Sequence, residues 1–424
     1  MNKVDSICQS VKHRYLNPSH LLMLVILFIS FALIGNVNSQ DKILPNDEYI
    51  SRQLSFHNNG GRVELKKYSI SRKTTVINTH RDIHLNIAGA WAISTGSRDV
   101  IVAILDDGFF YNHEDLAGNI WINPGESGID ENGVVKRANG IDDDNNGYID
   151  DVFGWDFIFD DPDPDCYIFD GRDMGKIAMY GHATSAMGII GARGNNEIGV
   201  AGINWDISMM LLKTCAQGTT VAKRAENTAE AIRYAVDNGA RIINWSGGVG
   251  IYDSTTLRIL HDAIDYAERY DVLIVAAAGN SLKNIDLDEN TFYPACFHND
   301  NIITVGEVDF DGTLYVEPEG TKFIGGSNFG VKNVDITAIA QNYTAQLFNT
   351  VGIYGIGAGT SDAAPVISGV AALIYSIRPD LNGPEVKRIL IQSCRKLPDL
   401  VGKVGSGGMV DACEALKLAQ KWKK

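Results

Sequence analysis

The sequence predicts an α/β domain built on a buried, mostly parallel sheet. Three observations carry that prediction. From Asp99 onward, short runs rich in β-branched residues alternate with longer amphipathic runs, which is the rhythm of strand–helix units. Most of the short runs are continuous apolar stretches rather than alternating ones, as expected of strands covered on both faces. Turn residues follow several of these runs, and in open parallel sheets functional groups sit just beyond the carboxyl ends of strands.

Taken in order, Val100–Leu105, Met209–Leu212, Arg241–Asn244, Val272–Ala278 and Ile302–Val305 read as strands. Ala222–Asn238, Thr255–Tyr270, Ala363–Ile377 and Pro384–Ser393 read as helices. In the second helix Leu257, Leu260, Ile264 and Ala267 recur at helical spacing, with Asp262, Asp265 and Glu268 on another face. No linker rich in Pro, Gly or Ser divides this region. One catalytic-size domain is therefore expected over 84–424, preceded by a short polar leader over 40–83.

The first forty residues have a different character. Lys3, Lys12 and Arg14 precede an apolar run, Leu21–Ile34, broken only by Ser30, and small residues follow to Ser39. This is the layout of a secretory signal over 1–39, cut near Ser39–Gln40. The apolar run is shorter than the ~20 residues a spanning helix wants. Export to a secreted or cell-surface location follows, with no stable membrane domain once the signal is removed. An uncleaved signal would instead act as an anchor.

The chain has 424 residues and a formal net charge of −15. Its composition is that of an ordinary globular protein, and so acidic a chain repels nucleic-acid phosphates. Six cysteines are present, with Cys8 inside the signal. The remaining five cannot all pair within one chain, and no CxxC spacing suggests zinc or redox chemistry. Scattered buried thiols are the expected arrangement.

Four polar residues stand at turns beside the predicted strands and helices. Asp106-Asp107-Gly108 follows the first strand, and Gly279-Asn280 follows the fourth. Gly181-His182-Ala183 and Gly359-Thr360-Ser361 each open a helix. Together Asp106, His182, Ser361 and Asn280 have a chemical logic. A serine hydroxyl needs a neutral imidazole to take its proton, and a buried carboxylate to hold the imidazole tautomer. A side-chain amide can donate to the oxyanion that develops. Taken singly, each residue reads more simply as a turn or cap.

The order and flanks of these residues resemble the subtilisin-like serine proteases, or subtilases; the Asp, His, Ser order is the one already documented for subtilisin. The segments concerned are Ile101–Gly108, His182–Gly188, the run Asn195–Gly202, Ala276–Asn280 and Gly359–Pro365. The resemblance implies a three-layer subtilisin-like fold, with helices on both faces of a mostly parallel sheet. It implies Asp106, His182 and Ser361 as the triad and Asn280 as the oxyanion donor. Asn244-Trp245-Ser246-Gly247-Gly248 resembles one wall of the primary substrate pocket, and Ala276–Gly279 the other. Ser246, Gly247, Gly248, Ala278 and Gly279 are thus expected to contact a protein or peptide substrate, with backbone groups available to an extended chain.

Three features depart from the family pattern. Ala183 and Ser185 stand where glycine and histidine are usual. Asp362 stands where methionine is typical. A carboxylate there either favours the imidazolium of His182 or turns inward and needs partners. The leader is also too short for the inhibitory propeptide that secreted subtilases commonly carry.

Residues 130–165 hold twelve acidic side chains against Lys136 and Arg137. Within them Asp142, Asp144, Asn146 and Asp150 match positions 1, 3, 5 and 9 of a calcium loop, with Gly147 at the turn. Phe153 occupies position 12 in place of a bidentate glutamate, with Asp151 as a substitute ligand. A structural calcium is expected, against a solvated acidic loop as the plain alternative. The sequence thus points to an exported serine endopeptidase, with a silent, peptide-binding member of the same fold as the alternative. A nucleotide-binding enzyme is disfavoured, because Gly355–Gly359 lacks both the G-x-G-x-x-G spacing and a Walker lysine. Oligomeric state is left open.

Overall fold

A nine-stranded sheet organises the molecule. The structure, a computed structural model, describes residues 44–66, 74–166, 181–216, 218–250, 253–317, 325–348 and 352–423. The signal segment and Cys8 lie outside these residues. In chain order the elements begin with the hairpin β1 (Gly61–Lys66) and β2 (Thr74–Thr79), then α1 (Ile87–Trp91), β3 (Gly96–Asp106), β4 (Gly154–Asp156) and α2 (His182–Gly191). Next come β5 (Asp206–Lys213), α3 (Val221–Asp237), β6 (Ile242–Trp245), α4 (Ser254–Arg269), β7 (Leu273–Ala277), β8 (Ile302–Val308) and β9 (Ile336–Ile339). A second hairpin, β10 (Tyr343–Phe348) and β11 (Gly352–Ile356), leads to α5 (Thr360–Ile377) and α6 (Gly383–Ser393). The short β12 (Arg395–Lys396) and β13 (Gly408–Met409) and the helix α7 (Ala412–Lys421) complete the chain.

The strand order is β12-β13-β9-β8-β7-β6-β3-β5-β4, parallel throughout except for the β12–β13 pair. The pleat of β3 shows how the layers form. Val102 and Ile104 belong to one apolar cluster, Ala103 and Leu105 to another, because successive side chains point to opposite faces. The first cluster takes in residues of α2, α5, α6 and α7; the second takes in residues of α3 and α4. Helices therefore cover both faces. That is why strands such as Val100–Leu105 and Val272–Ala278 read as unbroken apolar runs.

The five predicted strands and four predicted helices all form, with ends shifted by a few residues. Asn382 and Glu385 make a reciprocal capping box at the start of α6, which ties two backbone donors. Among the described residues α5 is the helix long and apolar enough to cross a membrane, but it is buried in the core. Cys166, Cys296, Cys394 and Cys413 are buried free thiols and Cys215 is a half-buried one, in line with the scattered arrangement expected.

Residues 44–58 do not stand apart from the domain. Tyr49 N donates to Gly199 O at 2.7 Å. The Gln53 amide exchanges two hydrogen bonds with the backbone of Ala201, at 2.8 and 3.0 Å. Phe56 is buried edge-on to Trp91. The segment clasps the loop after α2. Its anchors are single residues without a period, so the sequence suggested only a leader.

Candidate active site

Asp106 is the last residue of β3. It pairs with Lys213 at the end of β5, and Thr214 N donates to its carbonyl at 2.9 Å. The side chain is buried, and its Oδ1 accepts Asp107 N at 2.8 Å. Gly181, at φ +73°, makes the left-handed turn that starts α2; glycine takes that conformation without steric cost. His182 is the first residue of the helix. Its Nδ1 lies 2.8 Å from Asp106 Oδ1 and 2.9 Å from Oδ2. A carboxylate only accepts, so Nδ1 carries the hydrogen and Nε2 keeps a free lone pair in the neutral ring. Ala183 N donates to Asp107 Oδ1 at 3.3 Å. The Ala183 methyl is fully buried.

Ser361 lies in the first turn of α5 and is half-buried. Ser246 Oγ donates to its carbonyl oxygen at 2.7 Å. Ser246 in turn accepts from Asn244 Nδ2 at 3.0 Å, and Asn244 Oδ1 accepts from Ser368 at 2.9 Å. Asn280 Oδ1 accepts both the N–H and the hydroxyl of Thr360, at 2.8 and 2.9 Å. A backbone N–H can only donate, so this pair sets the amide orientation and leaves Nδ2 as a donor. A Cβ placed on Gly359 would lie 3.3 Å from Asn280 Nδ2 and 3.5 Å from Ser361 Oγ. The amide and the hydroxyl therefore border one small space, kept open by the missing side chain.

Ser185 Oγ donates to Asp362 Oδ1 at 2.8 Å. This bond ties the first turn of α2 to the first turn of α5, one residue past Ser361. Of the two arrangements open to Asp362, the structure combines both: the carboxylate is buried with a partner, and its charge acts on His182.

The local electrostatics follow from crowding of acids. Burial alone pulls His182 down, but the Asp106 carboxylate, then Asp107 and Asp362, outweigh it and push the ring up to about 10. Burial, with the Asp106 charge, pushes Asp107 up to about 8. Burial likewise raises Asp362 to about 6, opposed by His182 and the Ser185 hydrogen bond. Burial pushes the nearby Cys215 thiol up to about 12, so it is not a thiolate nucleophile at neutral pH.

The expected pocket residues separate into kinds. Ser246 is buried and braces the Ser361 backbone. Gly247 and Gly248 are half-buried, just past β6. Ala278 N donates to Val305 O at 3.0 Å, and its carbonyl accepts from Asn328 Nδ2 at 2.8 Å. Gly279 N donates to Thr360 Oγ1 at 3.0 Å, and its carbonyl accepts from Asn328 N at 2.8 Å. These backbone groups already have partners, so Ala278 and Gly279 shape a wall rather than offer a free edge. Sequence reasoning overlooked Thr360 and Asn328. Thr360 sits inside the serine motif, where its hydroxyl was a readable signal; Asn328 has no local signal.

The structure gathers only part of the expected calcium set. Ligand oxygens of Asp142 and Asp144 lie within 4.8 Å of one another and of a Glu126 oxygen. Glu126 is fully buried. Its Oε1 accepts Asp143 N and Asp144 N, and its Oε2 has no partner among the described residues. A buried carboxylate oxygen without a donor is costly, and three converging carboxylates suit a hard cation. Asp150 turns instead to the backbone N–H groups of Asn139 and Gly140. Asn146 Oδ1 accepts from Tyr148 N, and its amide donates to Asp151. The spacing pattern missed Glu126 because it lies outside the loop in sequence.

Comparison with known proteins agrees with this architecture. The family model of the subtilase family matches residues 97–407. Subtilisin-like protease 1 of Plasmodium berghei (strain Anka) is 31% identical over 331 residues, covering 75% of this chain and 49% of that protein. The thermophilic serine proteinase of Bacillus sp. (strain AK1) is 27% identical, covering 86% of this chain and 72% of its own length. A protease structure from Pseudoalteromonas arctica PAMC 21717 shares the fold, with TM-score 0.60 and 24% identity, covering 88% of this chain and 99% of that one. The chain spans about half the length of the Plasmodium relatives it matches. With the family model covering most of the folded domain and the strand order, helix layers and polar cluster all in agreement, the chain belongs to the subtilase family.

Proposed function

We propose that the protein is an exported serine endopeptidase, acting on protein or peptide chains through an acyl-enzyme. The observation that carries this reading is His182 held by both oxygens of the buried Asp106, with Asn280 Nδ2 and Ser361 Oγ bordering one open space. Ser361 Oγ attacks the peptide carbonyl as its proton passes to His182 Nε2. The carbonyl electron pair moves onto oxygen, where Asn280 Nδ2 and the Ser361 N–H donate to it. Collapse breaks the C–N bond, and the leaving amine takes the proton from His182. Water then hydrolyses the ester by the same proton transfers in reverse roles. Asp106 orients the ring through both of its carboxylate oxygens.

Calcium is the cofactor this reading includes, in a structural role. Asp142, Asp144 and Glu126 would hold it, and its charge would relieve repulsion in the insertion between the Asp and His segments. In this reading the signal segment directs the enzyme out of the cell, or to its surface if uncleaved.

The buried Asp362 carboxylate favours a second reading. By holding His182 as imidazolium it would remove the base and leave a silent fold that binds peptides. A fluorescent organophosphonate, which labels only an activated serine, separates the two. Labelling of the native protein but not of Ser361→Ala, with both folded by circular dichroism, supports the peptidase. A folded native protein that stays unlabelled from pH 6 to 10 rejects it.

A further inference from the structure

Helix α4 carries a set of donor groups on its outer face that the proposed chemistry does not use. Leu260, Ala263, Ile264 and Ala267 are buried against the sheet. That leaves His261 and Asp262 exposed and Asp265 half-buried on the other side. α4 covers the sheet face opposite α2 and α5, so this set is separate from His182 and Ser361. It shares no residue with the Glu126, Asp142 and Asp144 group. One ligand atom from each of His261, Asp262 and Asp265 lies within 4.8 Å of the other two.

The spacing inside the set is that of a metal centre. His261 and Asp265 are four residues apart, on one face of the helix. His261 Nδ1 lies 3.4 Å from Asp265 Oδ2. Two ligands of a tetrahedral zinc, with arms of about 2.0–2.1 Å, stand about 3.3–3.4 Å from each other. Asp262 is exposed, so rotation of its side chain alone brings in a third ligand oxygen. The two principal ligands are also held in place. The imidazole lies against the Phe297 ring, with centroids 5.4 Å apart. Asp265 Oδ1 accepts from Asn299 Nδ2 at 2.8 Å, which leaves Oδ2 facing the imidazole. The same amide donates to Glu268 Oε2 at 2.9 Å, and Asp300 N donates to Glu268 Oε1 at 3.0 Å. α4 and the loop 297–300 thus form the two sides of one cleft, which His298 also lines. Outer hydrogen bonds of this kind orient the ligands of metal sites.

The donor types choose the metal. Calcium takes oxygen ligands, whereas an imidazole beside carboxylates suits zinc and its neighbours in the transition series. We propose that His261, Asp262 and Asp265 bind a zinc-class divalent ion, with water completing the tetrahedron, and that the ion fastens α4 to the loop 297–300 through Asn299. The imidazole binds in its neutral form through Nδ1, and Nε2 keeps its hydrogen. Without the ion, His261 and Asp265 are an exposed pair that contributes little.

The test uses the full chain in calcium-containing buffer at pH 7.5. Zn²⁺ is titrated calorimetrically, and Co²⁺ is followed by visible absorption, where a four-coordinate site gives an intense d–d band. Native protein should bind both ions, and Zn²⁺ should raise its melting temperature. Asn299→Ala, which releases Asp265 without removing a ligand, should weaken zinc binding by roughly 10–100-fold. His261→Ala and Asp265→Asn each remove a ligand and should cost more, with loss of the Co²⁺ band and of the thermal shift. Native protein without a zinc isotherm or a Co²⁺ band overturns the proposal. So does binding that is unchanged in folded His261→Ala, or binding that persists there and disappears in His182→Ala, which would place the ion at the catalytic pair. If His261→Ala does not fold, the native Co²⁺ band and Asp265→Asn decide. None of these readouts needs peptidase activity, so failure of the peptidase reading leaves this site standing.

Discussion

The hydroxyl of Ser246 donates to the main-chain carbonyl of Ser361 at 2.7 Å, and Pro365 is the reason that carbonyl is available. Pro365 lies inside α5, four residues after Ser361, and proline has no N–H to complete the helical bond. The helix thus frees the carbonyl of Ser361, the proposed nucleophile, and a serine from β6's continuation takes it. The sheet and the helix are pinned together at the point where the chemistry is proposed.

Ser246→Ala should therefore leave the Ser361 carbonyl without its donor. The expected cost is about 1–3 kcal/mol of stability, with a lower kcat. The loss should shrink in a Pro365→Ala background, where the helix can supply an N–H. Denaturant melts of the four proteins in a double-mutant cycle measure the coupling. Strictly additive effects would show that the two residues act independently.

Asn280→Ala should lower kcat by on the order of 10²–10³ with KM nearly unchanged, because the amide acts in the transition state. Thr360→Val removes the hydroxyl that orients Asn280 but keeps the Thr360 N–H. It should cost less, roughly tenfold in kcat. Equal losses for both variants would mean that Thr360 does more than position the amide.

Asp362 should set the acid limb of the pH profile. Its negative charge favours the imidazolium of His182, so removing it lowers the pH at which the neutral base appears. Asp362→Asn, which can still accept from Ser185, should move the acid limb of kcat/KM to lower pH. Stability should change with the opposite dependence. The folded carboxyl is raised from 3.8 to about 6, so it binds its proton more tightly folded than unfolded. Its contribution is fully present below 3.8 and is lost as pH rises through about 6. The Asn variant should then melt above the native protein at pH 8 and lose that advantage at pH 3.5. Overlaying activity profiles from two folded proteins would reject the electrostatic role.

Chelating calcium should lower the melting temperature and raise self-digestion. A cation present at 100 times its Kd stabilises by about 2.7 kcal/mol. Glu126→Gln and Asp142→Asn should each weaken the response, while Asp150→Asn should leave it nearly intact because Asp150 is engaged by backbone N–H groups. A chelator response as strong in Glu126→Gln as in the native protein would remove Glu126 from the site.

Much of the fold is local information and was legible. The runs at Val100, Met209 and Val272 are apolar on both faces because helices cover both faces, and that shows in one dimension. The helix Ala412–Lys421 carries a cap signal in Asp411, which accepts from Glu414 N, but its apolar stripe is short.

By itself the sequence determined the parallel α/β architecture and the residue types that carry the proposed chemistry, because turns after strands and glycines before helices are encoded by their neighbours. Only the tertiary structure decided what surrounds them. Asp362 meets Ser185 across 177 positions, Glu126 joins Asp142 and Asp144 from outside their loop, residues 44–58 clasp the domain, and Phe292 lies between Gly248 and Gly279. Each depends on packing between segments far apart in the chain. Side-chain spacing along one element reports the face it presents, but not which group another element brings to that face.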